Sequence, residues 1–199
     1  MRSDDLYTLP DNLPAPRDDG ACASAGRRGM TSIRLIAIDD RVERIVRETG
    51  DAFEQAYGSS MGESTAAVRD VVAQTLALLR SAPRAPEWGG YLVVDQERNL
   101  VIGTCGYAHG PEADGTVEIA YHTFAAFEGR GFATAMAREM IDRAVRSGVV
   151  REIVAHTLPE HNASTRILER VGLQRAGEAR DPEVGTVWRW ACPAGEKPR

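Results

Sequence analysis

Apolar positions recur along this chain with two periods, two and about 3.6, and the switches between them outline the elements. Ile33, Leu35 and Ala37 alternate with Arg34 and Ile36 and predict a first strand. Asp39 or Asp40 then caps a helix carrying Val42, Ile45 and Val46. After a Gly-Ser turn, Ser64 or Thr65 caps a second helix with Val68, Val71, Val72, Leu76 and Leu79 in phase, and Pro83 and Pro86 end it. Tyr91 to Val94 read as a short apolar strand, Asp95 to Asn99 as its turn, and Leu100 to Ala108 as the partner strand. Gly110 to Gly115 turn into a strand in which Val117, Ile119 and Tyr121 alternate with Glu118, Ala120 and His122. The tight turn Glu128-Gly-Arg-Gly131 opens a long helix, marked by Phe132, Ala133, Met136, Met140, Ile141, Ala144 and Val145 and stopped by Gly148. Ile153 to Ala155 form another strand, Asn162 to Val171 a short helix closed by Gly172, and Leu173 onward pairs with Thr186 to Trp190.

The predicted order is β-α-α-β-β-β-α-β-α-β-β, without internal repeat. That is an α+β or mixed α/β chain rather than the strict alternation of a doubly wound sheet. Residues 1–29 show neither period and close on Ala25-Gly-Arg-Arg-Gly29, so they read as a disordered arm. The domain is expected over residues 30–192, opened by Met30, with residues 193–199 as a disordered tail.

Composition narrows the class. A length of 199 residues with 43% hydrophobic content suits one domain with a real core. A net charge of -5 without any basic run or basic helical face excludes a general nucleic-acid binder. No apolar run reaches the roughly 18 residues that span a bilayer, and the acidic N-terminus resembles neither a signal nor a transit peptide. Cys22, Cys105 and Cys192 are scattered, with neither disulfide nor metal-ligand spacing, so no metal and a cytoplasmic location are expected.

The chemistry is concentrated where the strand from Val117 passes through Glu128-Gly-Arg-Gly131 into its helix. The first N–H groups of a helix have no internal partner and face an incoming anion, and glycine lets the backbone approach it. The same turn, Glu128-Gly-Arg-Gly-Phe-Ala133, resembles the acetyl-CoA signature (Gln/Arg)-x-x-Gly-x-(Gly/Ala) of the Gcn5-related N-acetyltransferase (GNAT) superfamily. The segment from Leu158 to Leu173 is similar to that family's Asn-x-x-Ser…Leu-Glu-Lys-x-Gly-Phe stretch, in the form found in ribosomal-protein alanine acetyltransferases. The resemblance covers about residues 30–191 and implies a central mixed, mostly antiparallel sheet flanked by helices. It departs from the family at two points. Glu128 stands where Gln or Arg is usual, and His161 occupies the usual Asn place with Asn162 one later.

The resemblance implies an N-acyltransferase that uses acetyl-CoA as co-substrate and a primary amine, on a small molecule or a protein N-terminus, as acceptor. A homodimer is the family's common habit. The backbone of Gly129, Arg130, Gly131, Phe132, Ala133 and Thr134 would hold the CoA diphosphate, and Asn162 belongs to the same site. The backbones of His122, Thr123 and Phe124 would receive the pantetheine arm as an added strand. Glu118 is the candidate general base, sharing a strand face with Ala120 and His122. Ser164 matches the serine of the ribosomal-protein branch. The family's tyrosine place, four before Gly172, holds Leu168. The Glu128 side chain is expected to point to solvent. His156 and His161 flank one loop and could bind substrate or act as bases, but read as loop histidines without a catalytic task; Tyr107, Trp88, Trp188 and Trp190 could line an acceptor pocket, but read as core. Cys105, in mid-strand, argues against a covalent acetyl-enzyme. The rival reading is a non-catalytic acetyl-CoA-binding sensor. The acceptor would be set by loops near residues 50–66 and 178–186, which carry no chemical pattern.

Overall fold

A computed structural model describes residues 31–48 and 51–194. The expected arm, Met30 and the last five residues lie outside the described part. Seven strands form one sheet in the order β1-β2-β3-β4-β5-β7-β6. They are β1 (Ile33–Ala37), β2 (Gly90–Asp95), β3 (Leu100–Tyr107), β4 (Thr116–Thr123), β5 (Glu152–Thr157), β6 (Gln174–Asp181) and β7 (Gly185–Pro193). All neighbours run antiparallel except β4 and β5, which are parallel. The helices are α1 (Asp40–Arg47), α2 (Ala52–Tyr57), α3 (Thr65–Ser81), α4 (Phe132–Ser147) and α5 (Ala163–Arg170).

Strand alternation divides the core between two faces. On one, Ile36, Leu92, Val94, Val101 and Phe124 pack with Val42 and Val46 of α1, Phe53 of α2 and Val68, Val72 and Leu76 of α3. On the other, Val93, Cys105, Tyr107, Val117, Ile119 and Ile153 pack under Met136, Ala137, Met140 and Ile141 of α4 and Leu168 of α5. The helix caps are local chemistry. Asp39 accepts from the Val42 N–H at 2.8 Å. Asn162 and Thr165 exchange bonds in a capping box at the start of α5.

Two expectations change. A third helix, α2, stands between the two predicted ahead of β2. It has six residues, too few to show a period, and is held by Phe53, which is 2% exposed. The folded part also passes residue 192. Pro193 pairs with Glu152, and the Ala194 N–H donates to Arg151 O at 2.8 Å, which completes the edge of the β5–β7 ladder.

Candidate active site

The strands β4 and β5 form a fork. They pair only over Thr116–Glu118 and Glu152–Val154, although β4 continues to Thr123 and β5 to Thr157. Beyond Glu118 the two separate and leave main-chain groups of β4 facing a gap. Alternation decides which groups those are. The Ala108 N–H donates to Glu118 O, and the Phe124 N–H to Ile102 O at 2.9 Å. The even-numbered residues of β4 therefore turn their backbones to β3, and Ile119, Tyr121 and Thr123 turn theirs to the fork. Of the three backbones expected there, Thr123 is so placed. His122 lies opposite Thr104 and turns its backbone to β3, and the Phe124 N–H is already used, which corrects that expectation for both His122 and Phe124.

Past the fork, β4 leads through Phe124 and the turn Ala125–Phe127 to the glycines. Gly129 and Gly131 have φ of 71° and 83°, in the left-handed region that other residues avoid. Gly131 is the N-cap of α4 and supplies no side chain to cap it. The first bond of the helical ladder runs from the Ala135 N–H to Gly131 O, so the N–H groups of Phe132, Ala133 and Thr134 lie ahead of it. A cavity of about 200 Å³ sits here, lined by Thr123, Glu128 to Thr134 apart from Arg130, and Arg166 and Arg170 of α5. Two arginines one turn apart, facing an uncapped helix N-terminus, form a donor set suited to a diphosphate. The buried Thr123 Oγ1 has no hydrogen-bond partner among the described residues, which adds a free polar group where cradle and fork meet. These residues fit the diphosphate and pantetheine of a CoA molecule. Arg130 is exposed, its guanidinium 5.7 Å from the centre of the Phe127 ring.

Glu128 corrects a further expectation. It is half-buried rather than turned to solvent, and its Oε1 is buried without a hydrogen-bond partner among the described residues. A carboxylate thus borders the anion cradle from inside the cavity.

The opposite face of the sheet carries a second cavity, of about 240 Å³. Its floor includes Thr104, Gly106, Ala108, Ala120 and His122, its wall Thr75 and Leu78 of α3, and its rim Arg84 and Asp181 to Glu183 of the β6–β7 turn. The Arg84 Nη1 donates to Ala108 O at 2.6 Å, and burial lowers the pKa of its guanidinium. Glu118 stands next to Ala120 on this face. Its Oε1 lies 2.8 Å from the Nδ1 of His156, with side-chain exposures of 13% and 22%. His156 is therefore a strand residue of β5 bonded to the candidate base, not a loop histidine. His161 is elsewhere, its ring against Trp188 at 5.0 Å between centres.

The remaining candidates divide. Asn162 caps α5, and Ser164 is half-buried in its first turn. Leu168 is 1% exposed in the core, so no phenol stands at that place. The Tyr107 hydroxyl donates to Met140 O, and the Trp190 Nε1 to Thr157 Oγ1. Cys105 is 3% exposed and burial pushes its thiol well up, which leaves it a poor nucleophile. Arg84, Arg166 and Arg170 were not singled out from sequence. For the last pair the signal was available in their spacing of four on a helix whose Leu168 faces inward.

Residues 33–174, more than half of the chain, match the family described as acetyltransferase (GNAT) domain. The uncharacterised N-acetyltransferase p20 of Bacillus licheniformis is 31% identical over 93 residues, 47% of this chain and 52% of that protein. The match thus spans about half the length of that curated relative. A GNAT-family acetyltransferase from Bacillus anthracis superposes with a TM-score of 0.57 at 15% identity, over 85% of this chain and 98% of the other. The ribosomal-protein-S5-alanine acetyltransferase of Vibrio fischeri gives 0.55 at 16%, over 83% and 93%. RimL, a ribosomal L7/L12 α-N-protein acetyltransferase in complex with coenzyme A, gives 0.56 at 18%, over 83% and 96%. At such identities the structures attest the fold, while the sequence match over residues 33–174 carries the family: this chain belongs to the GNAT acetyltransferases.

Proposed function

We propose that this protein is an acetyl-CoA-dependent N-acetyltransferase that acts on a primary amine in a ternary complex. The observation that carries the reading is the β4–β5 fork, which opens between the glycine-led N-terminus of α4 and the Glu118–His156 pair. The N–H groups of Phe132, Ala133 and Thr134, with Arg166, Arg170 and Asn162, would hold the diphosphate end. The fork-facing backbones of Ile119, Tyr121 and Thr123 would take the pantetheine arm. Bound acetyl-CoA supplies an activated acyl group whose C–S bond breaks, with the electron pair leaving on sulfur, as the amine forms its N–C bond. A main-chain N–H in the fork would stabilise the charge that develops on the acyl oxygen.

The cavity on the α3 face holds the acceptor, and its proton leaves toward Glu118 and the residue bonded to it. The demand on that pair depends on the amine. An α-amine with pKa near ~8 is neutral in roughly one molecule in ten at pH 7, a lysine-like amine near ~10.4 in roughly one in 2,500. Ser164 is the proposed proton donor to the departing thiolate, a modest task because a thiol ionises near pH ~8.5. RimL is described as a ribosomal L7/L12 α-N-protein acetyltransferase, and the Vibrio fischeri protein as a ribosomal-protein-S5-alanine acetyltransferase. A protein N-terminus or a small amine is accordingly the proposed acceptor class here.

The test is thiol release from acetyl-CoA across a panel of peptide N-termini, polyamines and aminoglycosides. Turnover of at least one class supports the reading. Acetyl-CoA binding without turnover on any amine would replace it with the sensor reading.

A further inference from the structure

We infer that His156, oriented by Glu118, is the base that receives the acceptor's proton, which makes Glu118 a positioning residue. The inference rests on the N-acetyltransferase reading above and goes beyond it by naming the atom.

Glu118 and His156 are 38 residues apart and meet only because β4 and β5 lie side by side. Ile153 and Ala155 point into the α4 core, so Val154 and His156 turn to the opposite face, the one shared by Glu118, Ala120 and His122. Glu118 belongs to the last paired position of the fork, and His156 lies two residues further along the other arm. The 2.8 Å bond between them crosses the crotch of the fork, and Ala108 and Ala120, the neighbours of Glu118 across and along the sheet, line the proposed acceptor cavity.

The chemistry of the contact assigns the roles. A carboxylate accepts hydrogen bonds and has none to donate, so the imidazole carries its proton on Nδ1 and donates it to Glu118 Oε1. Its Nε2 then holds a lone pair, and it makes no hydrogen bond among the described residues. An imidazole nitrogen can take a proton and return it within one catalytic cycle. In the step, an amine N–H proton passes to His156 Nε2 as the N–C bond forms and the C–S bond breaks. The imidazolium is stabilised by the Glu118 carboxylate, and its proton is released to solvent.

Charged and titratable groups reach this face from each neighbouring element. Opposite His156 on β7 stands Arg189, paired with Glu152 of β5. On the β3 side Arg84 is bonded to Ala108, the residue across from Glu118. His122 shares the face on β4, and Asp181 and Glu183 of the β6–β7 turn line the cavity.

The competing arrangement has Glu118 take the proton through a water while His156 only orients the carboxylate. The two differ in their pH profiles. With an acceptor that the wild type turns over, His156→Ala should lower kcat by ~100-fold or more, in the range of a lost general base. It should leave acetyl-CoA binding unchanged, abolish the acidic limb of the kcat profile, and be partly restored by added imidazole. Glu118→Gln should lower kcat less and keep an acidic limb. Circular dichroism and acetyl-CoA binding confirm that each variant is folded. ¹⁵N NMR of the wild type should show His156 protonated on Nδ1 at pH 8. The inference is overturned if His156→Ala keeps the limb or loses less than threefold in kcat, or if NMR finds the proton on Nε2. A wild type inactive on every amine would instead sink the N-acetyltransferase reading, and the NMR result would stand as a measurement of the pair alone.

Discussion

Glu128→Gln should tighten acetyl-CoA binding, because it removes a carboxylate from inside the anion cradle and preserves its shape. Oε1 of Glu128 is buried, lacks a hydrogen-bond partner among the described residues and borders the cavity that Arg166 and Arg170 line. A cavity of about 200 Å³ is about 7 Å across if taken as a sphere, and two like unit charges at that distance repel by about 2 kcal/mol at an effective dielectric near 20. Screening at physiological salt, with a Debye length of about 8 Å, reduces this to about 1 kcal/mol, or roughly fivefold in Kd. The arginines are common to both proteins and cancel in the difference. Titration calorimetry with acetyl-CoA at low and at high salt is the assay. The variant should bind roughly fivefold tighter near 0.15 M salt, and the gap should close towards 1 M, where the Debye length is about 3 Å. Equal affinities at low salt, or a gap that widens with salt, would refute the electrostatic account.

Two further substitutions or conditions test the cradle and the core. Gly131→Ala imposes a side chain at φ 83° and brings a Cβ within 3.1 Å of Thr31 Oγ1. It should cost about 1–2 kcal/mol, a fall in Tm of roughly 2–8 °C by calorimetry, and should raise KM for acetyl-CoA while leaving KM for the acceptor unchanged. Burial pushes the Cys192 thiol up to about 11, so the folded state holds its proton to higher pH than the unfolded chain does. The corresponding stability is fully present below pH ~8.5 and is lost as pH rises towards 11; Cys192 should also resist alkylation at pH 8 until the protein is denatured, measured by mass spectrometry.

The order of the elements was legible because each depends on its own neighbours in the chain. The period of Phe132, Met136, Met140 and Ile141 identifies α4, and Asn162 and Gly172 bound α5. The helix α2 escaped that logic. Six residues show no period, and it is Phe53, buried against α1 and α3 and 4.9 Å from the Tyr57 ring, that gives the segment its place.

What the sequence determined by itself was therefore the local apparatus: the strand from Val117, the glycine turn, the start of α4 at that turn and the short helix from Asn162. Backbone sterics, capping and periodicity act over a few residues, so a single chain discloses them. Tertiary structure alone decided where β4 and β5 part and which backbones face the fork, because a parallel neighbour is contributed by a strand beyond α4. It also turned Glu128 into its cavity. It joined Glu118 to His156 across 38 residues, a bond that no local spacing encodes and that exists only where two strands on one sheet carry their side chains to the same face.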